Sequence, residues 1–295
     1  MNKRVFGQTG LEVTELSYGA MELRKVEKPQ ADKLLNAVLD SGINLIDTAP
    51  DYGTSEDLIG KFISERRNEY FLASKCGCNV PHDGGDNKHI WTGEQVIHNV
   101  DHSLKRMKTD HIDLLQAHSG TAEDLKSGGI VDAMEKVQSE GKVIHIGYTA
   151  TGGGEFGFPD VETMIGWDVF EFYQLPYNIV ARLHENTITK AAAAGAGIIL
   201  RGTVKPTYSR VYHDADWEAL WDRAKLDDLA DEGGDRYRFM LRYAISHPDY
   251  STAIIGTGSL DHLTDNIRTF EEGPLQPDVV SEVKKRLDRI GATAR

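Results

Sequence analysis

Short apolar runs, rich in β-branched and aromatic residues, alternate with amphipathic stretches from one end of this chain to the other. Runs at 15–20 (ELSYGA), 43–48 (INLIDT), 70–76 (YFLASKC), 112–118 (IDLLQAH), 143–149 (VIHIGYT), 170–176 (FEFYQLP), 197–202 (GIILRG) and 251–257 (STAIIGT) read as eight strands. Between them, PQADKLLNAVLDSG has apolar positions at helical spacing and stops at Gly42. TGEQVIHNVDHSLKRM opens with Thr92 and Gln95 at capping-box spacing, and GGIVDAMEKVQSEG ends at Gly141.

Eight strand–helix units in 295 residues predict an α/β fold, a closed (β/α)8 TIM barrel forming one domain over 1–295. A doubly wound sheet is the alternative, but its G-x-G-x-x-G is absent after the first strand, where the chain reads SYGAMELRK. The TGGG at 151–154 reads as a loop. Two segments lie outside the repeat. RVFGQTGLEVTEL reads as an N-terminal β-hairpin that plugs one barrel end, with Gly7 and Gly10 around its turn. Thr203–Gly234 is a long, partly helical loop after strand seven, of a length that usually serves as a lid or binding loop.

Charge narrows the function classes. Lys and Arg total 33 against 46 acidic residues, a net charge of −13, which opposes non-specific binding to nucleic acid or anionic lipid. The opening MNKRVFGQTGLEV has no apolar core of signal-peptide length, and no run is long enough to span a bilayer, so a cytoplasmic protein is expected. The two cysteines, Cys76 and Cys78, exclude a disulfide framework. C-x-C could be half a metal site. With no second Cys pair or helical His pair beside it, two reduced thiols and no metal are expected.

In such a barrel, reactive groups gather where strands run out into their following loops. The strand ends here offer Asp47 with Tyr52 in its loop, then Lys75, His118, Thr149, Gln174 and Arg201. Singly, each has an ordinary reading as a cap, a packed ring or a solvated end. An acid, an ammonium, a phenol and an imidazole on three adjacent strand ends form a combination with chemistry. If Lys75 points inward, alternation turns Ala73 and Phe71 inward too; if His118 does, Gln116, Leu114 and Ile112 share its face.

IDTAPDYGTSEDLIG resembles the D-T-A-x-x-Y-G-x-S-E-x-x-x-G signature of the aldo-keto reductase superfamily, in its bacterial type with a short C-terminus. The likeness continues through GQTGLEV, SKCG, SLKRMKTDHIDLLQAH, EGKVIHIGYT, YQLPYN, GAGIIL and AIIGTGSLDHLTDN. It implies a (β/α)8 barrel and a catalytic tetrad of Asp47, Tyr52, Lys75 and His118. Reducing a carbonyl leaves an alkoxide that needs a proton, which Tyr52 would donate. A phenol with a pKa near ~10 is a poor acid, so the Lys75 ammonium would lower it, with Asp47 keeping Lys75 charged and His118 holding the carbonyl oxygen.

The resemblance also implies a nicotinamide cofactor, NADP(H) by family habit, with NAD(H) compatible. Thr149 and Gln174 match positions holding the carboxamide, and Arg201 stands where an aromatic residue often stacks on the ring. Met21 and Asp47 border the cofactor. Gly256, Gly258, His262, Asp265 and Asn266 match the adenosine-phosphate segment. Three positions depart from the pattern: Ala150 replaces the usual Asn, Gly256, Gly258 and His262 replace phosphate-binding cations (which Lys205 and Arg210 would supply instead), and Met21 replaces an aromatic. With the short tail KKRLDRIGATAR, the implied substrate is a small or sugar-like aldehyde. The implied partner is that small carbonyl molecule alone, with no nucleic acid or membrane, on a monomer or weak homo-oligomer. Two alternatives are a non-catalytic nicotinamide-binding sensor or auxiliary subunit on the same fold, and a barrel isomerase or lyase using a Lys75 Schiff base.

Overall fold

A computed structural model describes residues 1–80, 89–150, 159–204, 217–230 and 235–294. An antiparallel hairpin of β1 (Lys3–Val5) and β2 (Glu12–Thr14) precedes eight parallel strands. These are β3 (Leu16–Gly19), β4 (Leu45–Asp47), β5 (Phe71–Cys76), β6 (Ile112–His118), β7 (Val143–Thr149), β8 (Phe172–Pro176), β9 (Gly197–Arg201) and β10 (Thr252–Ile255). They pair in chain order, and β10 returns to β3, closing the barrel. Each of the eight expected strands is present, most of them trimmed by a residue or two at the ends.

The helices are α1 (Lys28–Asp40), α2 (Ser55–Phe62), α3 (Gly93–Met107), α4 (Ala122–Ser127), α5 (Ile130–Ser139), α6 (Pro159–Ile165), α7 (Glu185–Ala193), α8 (Trp217–Arg223), α9 (Arg236–Ala244), α10 (Leu260–Glu272) and α11 (Pro277–Arg289). Their apolar stripes explain their docking: α1 buries Ala31, Leu34, Leu35, Val38 and Leu39, one face of a 3.6-residue period. The side chain of Thr92 caps α3 by accepting from the Gln95 amide, as its spacing predicts. The Gln95 side chain does not return to Thr92; its Nε2 donates to the Cys78 carbonyl at 2.5 Å. In the long segment after β9, α8 lies within the stretch expected to be helical, while 205–216 and 231–234, including Lys205 and Arg210, are outside the described residues, as is the TGGG loop.

Two apolar layers divide the core. Helices and outward strand faces form the larger one. Inside the barrel, Phe6, Val13, Leu45, Ala73, Leu114, Phe172, Ile199 and Ile254 pack together. Phe6 follows β1 and meets the Phe172 ring at 5.5 Å between centroids, so the hairpin does plug the end opposite the loops that follow the strands. Ala73 and Phe71 turn inward with Lys75 as expected, and so does Leu114, whereas Ile112 packs in the outer layer. Above this apolar floor the inward positions become polar: register pairs Lys75 with Gln116, His118 with Thr149, and Thr149 with Gln174. No helix among the described residues is long and apolar enough to cross a membrane.

Close packing of α2 on α3 fixes the loop between β4 and α2. A Cβ at Gly60 would overlap the Arg106 carbonyl and stand 2.7 Å from Met107 Cα. Gly60→Ala must therefore push the two helices apart. The expected loss is about 1–3 kcal/mol, read as a lower urea midpoint at unchanged m-value; an unchanged midpoint would show that the helices shift freely.

Candidate active site

The inward face of β5 carries a lysine ammonium into the barrel, and its neighbours are arranged to keep the charge there. Lys75 Nζ donates to Asp47 Oδ2 at 2.7 Å and to the Thr48 carbonyl at 2.7 Å. The other carboxylate oxygen, Asp47 Oδ1, accepts from Gln116 Nε2 at 2.8 Å and from Gln174 Nε2 at 3.0 Å. Burial alone would lower the Lys75 pKa, but the charges of Asp47 and Tyr52 and the hydrogen bond to Asp47 outweigh it, holding Lys75 well above the ordinary lysine value. Gln116 was visible only as a residue sharing the His118 face; that it completes the Asp47 shell is a product of the β5–β6 register.

Tyr52 comes to this ammonium on the loop between β4 and α2. Lys75 Nζ lies 4.8 Å from the centre of the Tyr52 ring, and the His118 ring stands edge-on to it at 6.1 Å between centroids. The loop is tied from below and behind. Thr48 and Ser55 share a hydroxyl contact at 2.9 Å, and Arg106 of α3 donates to the carbonyls of Pro50 and Gly53 while pairing with Glu56 and Asp57. Glu56 is fully buried and accepts from Ser74 and Ser103 at 2.8 and 2.7 Å; burial raises its pKa above the usual carboxylate range. Burial also raises the Tyr52 phenol; Lys75 pulls it down, as expected, but Asp47 and Asp51 add to the rise.

His118 ends β6 with its Nδ1 turned to a cluster that the strand pattern did not disclose. Cys78 Sγ lies 3.2 Å and His89 Nε2 3.1 Å from that nitrogen, with Asp51 Oδ2 at 3.6 Å. Burial first, then the charges of Lys75, His89 and Arg201, depress the His118 pKa well below the ordinary value against the opposing pull of Asp51. The imidazole is therefore neutral at neutral pH. With Nδ1 engaged in the cluster, Nε2 is the nitrogen left to meet a substrate.

The expected cofactor positions fall into two groups. Thr149 and Gln174 sit side by side, the Thr149 hydroxyl donating to Gln174 Oε1 at 3.2 Å while Gln174 holds Asp47. The Thr149 oxygen keeps lone pairs for an amide NH2. Ser119 follows His118 in a left-handed conformation (φ 73°), its amide bonded to the Thr149 carbonyl and its buried hydroxyl without a partner. A strained residue with an unpaired hydroxyl beside Thr149 suits a carboxamide oxygen, and sequence pattern alone did not single it out. Arg201 ends β9 and donates to the Ala150 carbonyl at 3.0 Å. The second group lies across the mouth: Gly256 and Gly258 precede α10, whose cap Ser259 accepts from the His262 amide. His262 is exposed and Asn266 half-buried, while Asp265 pairs with Arg268 at 3.0 Å. Met21 lies not at a strand end but in a 3-10 turn after β3, where it is 37% exposed.

Comparison with known proteins points to one family. The model of the aldo/keto reductase family matches residues 15–288. The chain is 26% identical to an uncharacterized oxidoreductase, YqkF, of Bacillus subtilis (strain 168), over 91% of this chain and 90% of that protein. It is also 26% identical to L-galactose dehydrogenase of Arabidopsis thaliana, over 97% and 94%. Among solved structures, the holo form of aldo-keto reductase AKR11C1 from Bacillus halodurans superposes with a TM-score of 0.83 at 24% identity, over 97% and 96% of the two chains, a likeness of fold.

The buried imidazoles make stability depend on pH. His118 and His247 both have pKa values lowered first by burial. In the unfolded chain they take up protons near ~6.5, so the unfolded state binds more protons below that value. Their stability term is present above pH ~6.5 and is lost as pH falls towards the folded values. The urea midpoint is expected to drop between pH 7.5 and 5.5, and His247→Gln to flatten the drop; a midpoint flat across that window refutes the assignment.

Proposed function

The chain belongs to the aldo/keto reductase family, and on that premise we propose that it reduces an aldehyde or ketone to an alcohol, or runs the reverse oxidation, with NADP(H) favoured and NAD(H) compatible. One observation carries this reading: the phenol, ammonium, carboxylate and imidazole converge at one end of the barrel, with Lys75 2.7 Å from Asp47 and 4.8 Å from the Tyr52 ring. When bound, the nicotinamide supplies the hydride to the carbonyl carbon or takes it back.

The protein's own groups do the rest. Tyr52 gives its proton to the oxygen as negative charge develops there, and Lys75 stabilises the phenolate left behind. Asp47 fixes the Lys75 ammonium, which Gln116 and Gln174 support by holding the second carboxylate oxygen. Neutral His118 donates from Nε2 to the carbonyl oxygen and orients it towards Tyr52. Thr149, Gln174 and Ser119 would hold the carboxamide, Arg201 and Met21 would border the ring, and Gly256, Gly258, His262, Asp265 and Asn266 would take the adenosine end, whose phosphate favours the α10 N-terminus. The family's habit supports NADP(H). Kinship with L-galactose dehydrogenase supports a small, sugar-like substrate. Cys76 and Cys78, both buried and neither in a disulfide, support a reducing, cytoplasmic setting.

A Lys75 Schiff base fits less well. An amine must be neutral to attack a carbonyl, and Asp47 holds this one charged.

Tyr52→Phe is expected to lower kcat for small aldehydes by roughly 10²–10⁴-fold while leaving dinucleotide affinity within a factor of about two. Nicotinamide absorbance with an aldehyde panel measures the first. Fluorescence titration with NADPH and NADH in parallel measures the second and ranks the cofactors. Full turnover in the variant would refute the mechanism, and tight dinucleotide binding without turnover in the wild type would favour a sensor.

A further inference from the structure

Three segments remote from one another in sequence bring Asp51, Cys78, His89 and His118 together beside the proposed catalytic centre, with one ligand-type atom from each inside a 4.8 Å span. The contacts converge rather than chain. Cys78 Sγ and His89 Nε2 both aim at His118 Nδ1, at 3.2 and 3.1 Å, and Asp51 Oδ2 lies 3.6 Å from both ring nitrogens. A single ring nitrogen offers one proton or one lone pair, so it cannot satisfy three groups at once. The second carboxylate oxygen, Asp51 Oδ1, is buried with no hydrogen-bond partner. A hydrogen-bond network therefore leaves Asp51 Oδ1 unused.

A cation between the four atoms uses all of them. Zinc bonds of about 2.0–2.3 Å to N, O and S set tetrahedral edges of about 3.3–3.8 Å. The four distances above are 3.1–3.6 Å, and the two edges from Cys78 to His89 and Asp51 lie within 4.8 Å, so a bound cation would draw the donors to tetrahedral spacing. The donors are one thiolate, two imidazoles and one carboxylate, a set that suits zinc and not magnesium or calcium.

The residues around the cluster hold these donors in place. Asn99 of α3 clasps Cys78 from both sides, accepting from its amide and donating to its carbonyl at 3.0 Å each, and Gln95 donates to the same carbonyl. Next to His89, the Ile90 amide bonds to the Gly77 carbonyl at 2.8 Å. Such outer contacts fix ligands before metal arrives.

We propose that Asp51, Cys78, His89 and His118 form a tetrahedral binding site for a zinc-type divalent cation. Four protein donors close the coordination sphere, so the cation would not bind the substrate carbonyl; its part is to orient. Coordination at Nδ1 keeps the His118 proton on Nε2, the nitrogen that donates to substrate in the reductase reading, and this consequence alone rests on that reading.

Metal binding is tested on the whole protein without dinucleotide or carbonyl. After chelator treatment and dialysis, titration with Co²⁺ should give one equivalent per chain with tetrahedral d–d bands and a thiolate-to-cobalt charge-transfer band. Cys78→Ser should remove the charge-transfer band, and His89→Ala should weaken Zn²⁺ binding at least tenfold against a chromophoric chelator. Zn²⁺ should also raise the Tm of the unmutated protein, a readout that needs no variant to fold. Tyr52→Phe should bind metal normally, so the site and the reductase mechanism stand or fall separately. No binding near one equivalent, an unmoved Tm, or binding indifferent to both variants overturns the proposal.

Discussion

A lysine ammonium only 1% exposed inside a β-barrel is the constraint around which the rest of the site is built. Removing such a charge from water costs several kcal/mol, and one carboxylate repays it only if every remaining valence is satisfied. The strand register supplies most of that satisfaction, leaving Gln116 Oε1 without a partner. Asp47 is the last residue of β4, Lys75 the penultimate residue of β5, and Gln116 lies opposite Lys75 on β6. Gln174 reaches the same carboxylate from β8, across the barrel interior. Shifting any one of these strands by a single residue would turn its polar group into the apolar outer layer and strand the ion pair.

The same pair orders the loop that follows. Lys75 spends its second hydrogen bond on the Thr48 carbonyl, which fixes the first residue after β4, and Thr48 in turn meets Ser55 at the start of α2. A second buried charge, Glu56, sits behind the loop and is neutralised from α3 by Arg106, which also holds two loop carbonyls. Tyr52 is thus suspended between two buried charge networks, one inside the barrel and one between α2 and α3. Its position is precise because both ends of its loop are energetically expensive to move.

The architecture was legible in the sequence because a barrel strand has a simple signature, a short β-branched run followed by a helical stripe, repeated eight times. The four groups of the proposed tetrad were legible because strand ends are where side chains turn into the mouth. Gln116 was harder to see: an interior glutamine looks like any other inward strand position until register sets it against Asp47. Ser119 was invisible because its significance is a backbone angle and an unpaired hydroxyl, neither of which residue type encodes. The cluster at His118 was hidden for another reason: C-x-C has no companion in the sequence, and Asp51, Cys78, His89 and His118 come from two loops and a strand end that only the closed barrel brings together.

The direction of the Tyr52 pKa changes how the lysine is best understood. The simple expectation is that Lys75 turns a weak phenol into a stronger acid at rest. Burial and two nearby carboxylates prevail instead, and the resting phenol titrates above its ordinary value. For the proposed reduction this is no handicap, since a general acid must be protonated when the carbonyl arrives, and the developing alkoxide is far more basic than any phenolate. What the phenol needs is help while it is losing its proton, and a fixed ammonium 4.8 Å from its ring provides this without reorganising. In the proposed mechanism Lys75 is therefore a charge positioned for the transition state rather than a device for lowering a resting pKa, and the Asp47 shell keeps that charge in place.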